Sequence, residues 1–339
     1  TGHLLYVYAE KLYGVRFDLQ RLEVTSPPVV VVDPIVSTHI SGSAQYSVAS
    51  DGTLAYVAGS HASADGRLHW MNTRGETSAL KIAPGVWGNP RFSPDGTRIA
   101  MQVTTGSHDQ IAIYDIAADR LTPLTADAAN HIYPAWTPDG RGIVYSSDAG
   151  GSGAPNLFWQ RADGSGDAVR LTTSPFRQID AAMHPSGRII MYAELDAAGQ
   201  SALNVVPIEG STATGWTAGT PRRLRKDGSF EGLGAISPDG KLVAYMGMPA
   251  GAPGSFYIYV KALDGEGGPW RVSTANGAHP VWSKTTRELL FTTEDQIMTA
   301  AYKYDGGEFK SETPRPWSGV RYVNAGPTRK FHLHPHRTR

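Results

Sequence analysis

Seven side chains that could bind a ligand lie at two neighbouring points of a repeated segment. Aligned on the turn of the repeat, Asn89, Tyr133, Asp180 and His279 share one position, and just upstream of it lie Trp87, His131 and Glu231. The set holds two imidazoles, two carboxylates, an amide and two aromatic rings, which can hold a peptide, protein or small solute by hydrogen bonding and stacking. We predict a ligand-binding site at this point of the repeat.

Two members of this set, together with Gln178, suggest a metal site. His131, His279 and Gln178 offer imidazole and amide ligands that suit a divalent ion such as zinc or manganese. A simpler interpretation is that segments leading into strands are polar because they face water. Both remain open, so no cofactor is predicted beyond a candidate divalent metal. The alternating imidazoles of residues 332, 334 and 336 are a weaker candidate, because their strand would have to continue to residue 336.

Known catalytic motifs are absent. The chain contains no G-x-S-x-G, no H-E-x-x-H, no phosphate-binding glycine loop and no D-x-D-x-D-G calcium loop. Cysteine is also absent, which excludes disulfides, thiolate metal sites and cysteine nucleophiles. No catalytic residue is predicted, and a non-catalytic role is favoured over an enzyme.

The elements that position these residues follow from an internal repeat. Its clearest copies are RFSPDGTRIAM, AWTPDGRGIVY, AMHPSGRIIMY and AISPDGKLVAY, whose turns end at Gly96, Gly140, Gly187 and Gly240. In each copy an apolar strand leads into a turn in which Pro presets φ and Gly accepts a positive φ, and a second strand follows. Looser copies end at Gly52 and Thr286, so the period runs from 44 to 53 residues.

Two further strands follow each hairpin, such as QIAIYDI and then RLTPLT. Four antiparallel strands per period of this length are typical of a β-propeller blade. The sequence therefore predicts an all-β propeller in one domain, residues 1–339, with blades starting near residues 44, 89, 133, 179, 233 and 278. Gly96, Gly140 and Gly240 are expected to have positive φ.

The ends of the chain predict a closing blade. HLLYVY, KLYGVRFD and PPVVVV match the second, third and fourth strands of a blade, and KFHLHPHR near the other end matches a first strand and its turn. We expect residues 329–339 to pair with residues 1–33, because an open ring would leave unpaired strand edges. Seven blades are favoured, with six as the alternative.

The amino-acid composition limits the classes of partner that this chain can be expected to bind. Lys plus Arg and Asp plus Glu number 31 each, so no net charge favours nucleic acid. No apolar run is long enough to cross a membrane as a helix. We expect a monomer, and a chain that has lost a leader or was cut from a longer protein.

The copies FSPDGTRIAM, WTPDGRGIVYSSD and ISPDGKLVAY resemble the repeat of TolB-like propellers. GHLLYVYAEKLYGVRFDLQRLEVTSPPVVV and PWRVSTANGAHPVWSKTTRELLF resemble the propeller attached to bacterial eukaryotic-like serine/threonine kinases. This likeness spans essentially the whole chain and implies a periplasmic or otherwise extracytoplasmic binding or sensing module. The alternative function is a propeller enzyme, a metal-assisted polysaccharide lyase or a hydrolase, with its site at the mouth of the central channel.

Overall fold

The computed structural model describes residues 2–8, 11–33, 46–48, 54–56, 68–72, 74–83, 85–151, 153–224, 230–249, 252, 254–321 and 331–335. Every regular element in these ranges is a β-strand. The described residues therefore contain no helix that could cross a membrane. The chain divides into two compact units. Unit 1 contains Thr1–Arg67 and Ala83–Val86, and unit 2 contains Leu68–Ile82 and Trp87–Arg339.

Unit 1 is built on one antiparallel sheet and a short hairpin. The N-terminal sheet contains β1 (Gly2–Tyr8), β2 (Lys11–Asp18), β3 (Glu23–Val24) and β4 (Val29–Val32), and the hairpin contains β5 (Tyr46–Val48) and β6 (Leu54–Tyr56). Within the sheet, β1 pairs with β2, and β2 pairs also with β3 and β4. Its small core joins Leu12 and Val32, with Leu5 and Val7 packed against them.

Unit 2 contains a short hairpin and five complete sheets. The hairpin is β7 (His69–Met71) and β8 (Thr77–Ala79). Sheet A contains β9 (Trp87–Phe92), β10 (Arg98–Thr105), β11 (His108–Asp115) and β12 (Arg120–Pro123). Sheet B contains β13 (His131–Trp136), β14 (Gly142–Ser147), β15 (Asn156–Arg161) and β16 (Val169–Arg170).

The remaining sheets repeat this order, and two of them gain a strand. Sheet C contains β17 (Arg177–Met183), β18 (Ile189–Leu195), β19 (Ser201–Ser211), β20 (Gly215–Ala218) and β21 (Arg222–Arg223). Sheet D contains β22 (Glu231–Ile236), β23 (Leu242–Gly247), β24 (Tyr257–Ala262) and β25 (Trp270–Arg271). Sheet E contains β26 (Ala278–Trp282), β27 (Glu288–Thr292), β28 (Ile297–Asp305), β29 (Glu308–Ser311) and β30 (Arg315–Pro316).

The first strands β9, β13, β17, β22 and β26 contact one another in chain order, so the five sheets are arranged as propeller blades. Apolar clusters join consecutive sheets, and the first of them packs the β7–β8 hairpin against sheet A. Sheets A and B share a second cluster, sheets B and C a third, and sheets D and E a fourth. Burying these large side chains supplies most of the stabilisation, at about 25 cal/mol per Å² of apolar surface.

The turns of the repeat form as predicted. Gly96, Gly140 and Gly240 have φ of 74°, 66° and 75°. In the first of these turns Ser93 donates to the Asp95 carboxylate, and the Thr97 amide donates to the same oxygen at 3.0 Å. Side chains also link consecutive turns, because His184 Nε2 lies 3.2 Å from the Gly240 carbonyl oxygen of sheet D.

The insertion EGSTATGWTAGTP lengthens sheet C. Strand β19 continues to Ser211 and turns back as β20, and this hairpin reaches sheet B, where the Thr212 hydroxyl donates to Asp139 at 2.8 Å. Trp216 of the hairpin packs against the apolar cluster of sheets B and C.

The predicted closing blade falls partly outside the described residues. Of residues 329–339 only Phe331–Pro335 are described, and they have no strand assignment. One of their contacts is with unit 2, where His332 Nδ1 accepts from the Phe92 amide at 3.3 Å. The pairing of residues 329–339 with residues 1–33 stays a prediction, as does the number of blades.

Candidate functional site

The backbone of each first strand is bent at one residue. In all five sheets the pairing of the first strand with the second shifts register at a bulge. The residue at the bulge has a positive φ in every case, and these residues are Asn89 (51°), Tyr133 (56°), Asp180 (52°), Leu233 (49°) and His279 (53°). A bulge re-aims the side chain that it carries. Leu233 has the same conformation although its side chain is apolar. The positive φ at the bulge is therefore a property of the fold and does not depend on a polar side chain.

The sequence predicts that these positions are equivalent, and their common backbone conformation agrees with that prediction. Their surroundings differ from the prediction. Asn89, Tyr133, Asp180 and His279 are all buried, so exposure to water does not explain their polarity. The interpretation of these positions as water-facing is wrong, and a buried polar group needs partners.

An ion pair joins two non-adjacent sheets at this level. Arg91 of β9 donates through Nη2 to Asp180 Oδ1 of β17 at 3.0 Å, and the two side chains are 12% and 2% exposed. Burial lowers the pKa of Arg91, and the Asp180 carboxylate acts against that effect. The pair therefore spans from sheet A to sheet C, past the first strand of sheet B.

Tyr133 of the intervening sheet lies in the same environment. Burial raises the pKa of its phenol, and the negative charge of Asp180 adds to that effect, while Arg177 and Arg91 oppose it. The phenol therefore stays protonated and can donate. Among the described residues Asp180 Oδ2 is buried with no hydrogen-bond partner, so one acceptor of the carboxylate is not satisfied by this part of the chain.

His131 is held at the start of β13. Its Nε2 lies 2.8 Å from Asp127 Oδ1, and its ring meets the edge of the Tyr145 ring at 5.4 Å between centroids. The carboxylate of Asp127 is well exposed. Gln110 positions the preceding loop by donating to the carbonyl oxygens of Asp127 and Ala129 at 3.1 and 2.8 Å.

Gln178 and Glu231 occupy the same position in sheets C and D and are also buried. Gln178 donates to Glu194 at 2.9 Å and accepts from the Thr172 hydroxyl. Glu231 pairs with Lys261 Nζ at 2.7 Å inside sheet D. The contacts with Glu194 and Lys261 are made within sheets C and D, whereas Thr172 follows β16, so Gln178 also links sheet B to sheet C.

Asn89 and Trp87 complete the predicted set in sheet A. Asn89 donates to Gln102 Oε1 on the next strand at 2.9 Å. Trp87 packs partly against the cluster that joins sheet A to the β7–β8 hairpin, and among the described residues its indole nitrogen is buried without a hydrogen-bond partner. The Asn89 hydrogen bond lies within sheet A, and the packing of Trp87 involves sheet A and its neighbouring hairpin.

Within the described ranges, no three His, Cys, Asp or Glu side chains form a group that could hold a metal ion. A metal at this level of the first strands remains a prediction from the sequence.

Sequence reasoning missed Arg91. The only sequence signal is an arginine in GNPRF where the aligned copies carry Ala or Val, as in IYPAW and AHPVW. A charged residue at an otherwise apolar strand position indicates a buried ionic partner. That partner was recognisable only once sheets A and C had been placed together.

Comparison with solved structures finds the same fold. TolB from Acinetobacter baumannii superimposes with a TM-score of 0.55 at 15% identity, covering 92% of this chain and 80% of that chain. An oligogalacturonate lyase in complex with manganese gives a TM-score of 0.51 at 13% identity, covering 74% of this chain and 73% of that chain. At such identities the likeness shows the fold alone.

Sequence comparison gives a relative and a family. The "Uncharacterized peptidase YuxL" of Bacillus subtilis (strain 168) is 29% identical over 109 residues, which are 30% of this chain and only 16% of that protein. The family model for the TolB beta propeller domain matches residues 32–220, more than half of the chain. The chain therefore belongs to the TolB beta propeller domain family.

Proposed function

We propose that this chain is a non-catalytic binding or sensing module, and that its ligand is a protein, a peptide or a small solute. The observation that carries the proposal is the group formed by Arg91, Tyr133 and Asp180, which comes from three sheets and has a buried carboxylate oxygen with no hydrogen-bond partner among the described residues. A rigid set of strands that presents a donor and an acceptor side by side suits recognition of a polar group.

The same proposal places the site at Trp87, Asn89, His131, Tyr133, Asp180, Glu231 and His279, with Arg91 added. Arg91 and Asp180 carry opposite charges, so the pair does not favour a strongly anionic or cationic ligand. A neutral group that both donates and accepts, such as an amide, fits best. We place the module outside the cytoplasm of a bacterium, as part of a larger protein, on its likeness to TolB-like and kinase-attached propellers.

The test is peptide selection on the immobilised chain, followed by hydrogen exchange to locate the bound peptide. We expect protection of residues 87–91, 131–135 and 178–182, and weaker binding to an Asp180→Asn variant. Asp167→Asn is the matched control, because Asp167 is exposed and lies away from the first strands. Protection confined to the outer strands β12, β16 and β25 would contradict the proposed site.

The enzymatic alternative has its own test. The likeness to an oligogalacturonate lyase crystallised with manganese is what favours it. Elemental analysis of the purified chain should detect no stoichiometric divalent metal if the module only binds. A bound metal that is lost in His131→Ala or His279→Ala would favour a metal-assisted enzyme instead.

A further inference from the structure

Three loops at one end of sheets A and B carry acidic residues and no basic ones. They are residues 104–109, 124–130 and 148–155, which contain Asp109, Asp127 and Asp148 but neither Lys nor Arg. The loops lie at the same end of the two sheets, where β10 and β14 end and where β11 and β13 begin. We call these loops, with the adjoining residues 110 and 131, the acidic corner.

Asn130 joins the loops of the acidic corner. Its side-chain oxygen accepts from the Asp109 amide at 3.1 Å. Its own amide and its side-chain nitrogen donate to the two carboxylate oxygens of Asp148, at 2.8 and 2.9 Å. The three loops are therefore held together by hydrogen bonds, and their carboxylates share one region.

Asp127 is the exposed carboxylate of the acidic corner, with 61% of its side chain accessible. Its Oδ1 lies 2.8 Å from His131 Nε2 and accepts from the Ala129 amide at 2.8 Å. Partial burial opposes ionisation, but these two hydrogen bonds and the charge of His131 lower the pKa of Asp127. The carboxylate is therefore charged at neutral pH and is fixed in position by its neighbours.

Among the described residues, two buried acceptors of the acidic corner lack a donor. Gln110 donates through Nε2 to the carbonyl oxygens of Asp127 and Ala129, which fixes its amide and makes Oε1 an acceptor. His131 shares its Nε2 proton with the Asp127 carboxylate, which leaves Nδ1 as an acceptor in the neutral ring. Neither Gln110 Oε1 nor His131 Nδ1 has a partner in this part of the chain, although both side chains are buried. Such acceptors need a donor.

Other cations fit the acidic corner less well. Nowhere in the described ranges do three His, Cys, Asp or Glu side chains form a group that could hold a metal ion. Arg170 reaches the Gly150 carbonyl oxygen of the third loop, but it also donates to Asn156 and to the Thr172 carbonyl oxygen. Its guanidinium is thus engaged in these contacts. A primary ammonium supplies both the positive charge and three donors.

We propose that the acidic corner binds a primary ammonium group, supplied by a lysine side chain or by the amino terminus of a peptide or small solute. This inference rests on the proposed function, because the corner adjoins the site of that function. Tyr133 follows His131 by two residues in β13. Burial raises the pKa of the Tyr133 phenol, the charge of Asp180 adds to that effect, and the charge of Asp109 adds further. One ligand can therefore contact both regions.

The probe is Nα-acetyl-lysine methylamide, and its control is Nα-acetyl-norleucine methylamide, which has the same aliphatic chain without the ammonium. Each is titrated into the full, isotopically labelled chain and followed by amide chemical shifts. We expect the lysine compound to shift residues 108–110, 127–131 and 148, to bind several-fold more tightly than the norleucine compound, and to lose this advantage at high salt. Alanine methylamide tests an amino-terminal ammonium, and stronger binding of either ammonium compound supports the proposal.

Two variants test whether the ammonium binds at this place. Asp127→Asn should reduce the affinity for the lysine compound to that of the norleucine compound. Asp167→Asn removes an equal charge from the exposed loop between β15 and β16 and should leave the difference unchanged. Equal loss in both variants would overturn the proposal, because it would show an effect of net charge alone. Asp109→Asn gives a second measure that leaves the contacts of Asp127 with His131 and Ala129 in place.

Failure of this inference and failure of the proposed function give different results. If both compounds shift residues 131–135 and 178–182 with equal affinity, the ammonium adds nothing; the inference is overturned and the proposed function stands. If the lysine compound shifts only the acidic corner, the inference holds and the site at Arg91, Tyr133 and Asp180 is contradicted. If calcium ions alone shift the same amides and displace the lysine compound, the corner is a metal site and the inference is overturned. An absence of shifts with every compound also overturns it.

Discussion

The ion pair between Arg91 and Asp180 should contribute a large coupling energy, and its size can be worked from the structure. Both side chains are almost fully buried and the two atoms are 3.0 Å apart. Removing one partner of such a pair leaves an uncompensated buried charge, which costs about 3–5 kcal/mol, whereas replacing both by apolar or neutral groups is nearly neutral. We expect Arg91→Met and Asp180→Asn each to be strongly destabilising, and the double variant to recover most of the loss.

The assay is urea unfolding of the four proteins, followed by tryptophan fluorescence and circular dichroism. A loss of about 3 kcal/mol lowers the melting temperature by roughly 6–12 °C for a unit of this size. Coincident transitions by the two probes are needed before the free energies of unfolding are compared. If the effects of the two single variants simply add in the double variant, the two side chains do not interact as described and the reasoning about the site fails.

Three further predictions concern the turns and the sheet contacts. Gly140→Ala should cost about 1 kcal/mol of unfolding free energy from its positive φ alone. Gly240→Ala should cost more, because its Cβ would lie 2.2 Å from His184 Nε2. Combining Gly240→Ala with His184→Ala should remove this additional cost, and an unchanged additional cost would rule out the clash. Hydrogen bonds from the turn lower the pKa of Asp95 to about 2. Its contribution to stability is therefore complete above about pH 4 and is lost as the pH falls towards 2. The free energy of unfolding should fall less steeply with acid in Asp95→Asn than in the parent chain, and an identical slope would refute the stabilising role of Asp95. Trp282→Phe should lower the free energy of unfolding by about 1–3 kcal/mol, because the indole donates at 2.9 Å to a backbone carbonyl of the neighbouring sheet. An unchanged free energy in denaturant unfolding would show that this hydrogen bond does not stabilise the fold.

The strands and turns were predictable because local chemistry specifies them. Pro, Asp and Gly at fixed places in the turn determine its backbone, and the positive φ of Gly96, Gly140 and Gly240 followed directly. The equivalence of the bulge residues also followed, since the turn fixes the distance along the first strand. Sequence alone could align Tyr133 with Asp180 without revealing that both are buried.

The site itself depends on long-range packing that no local pattern encodes. Arg91 and Asp180 are 89 residues apart, and their contact exists only because sheets A, B and C stack in order. The burial of His131 likewise depends on Asp127 and Tyr145, which come from the preceding loop and the next strand. A polar residue before a strand has the same appearance in sequence whether it faces water or a buried partner.

At the bulge in the first strands, the backbone conformation stays the same although the side chain changes. Five different residue types, from the carboxylate of Asp180 to the aliphatic Leu233, share one left-handed conformation there. Asn and Asp adopt a positive φ more readily than Leu or Tyr, so the strain differs among the five positions. A new side chain there must also suit its buried neighbours, as Asp180 suits Arg91, so the positions share a backbone shape without being interchangeable.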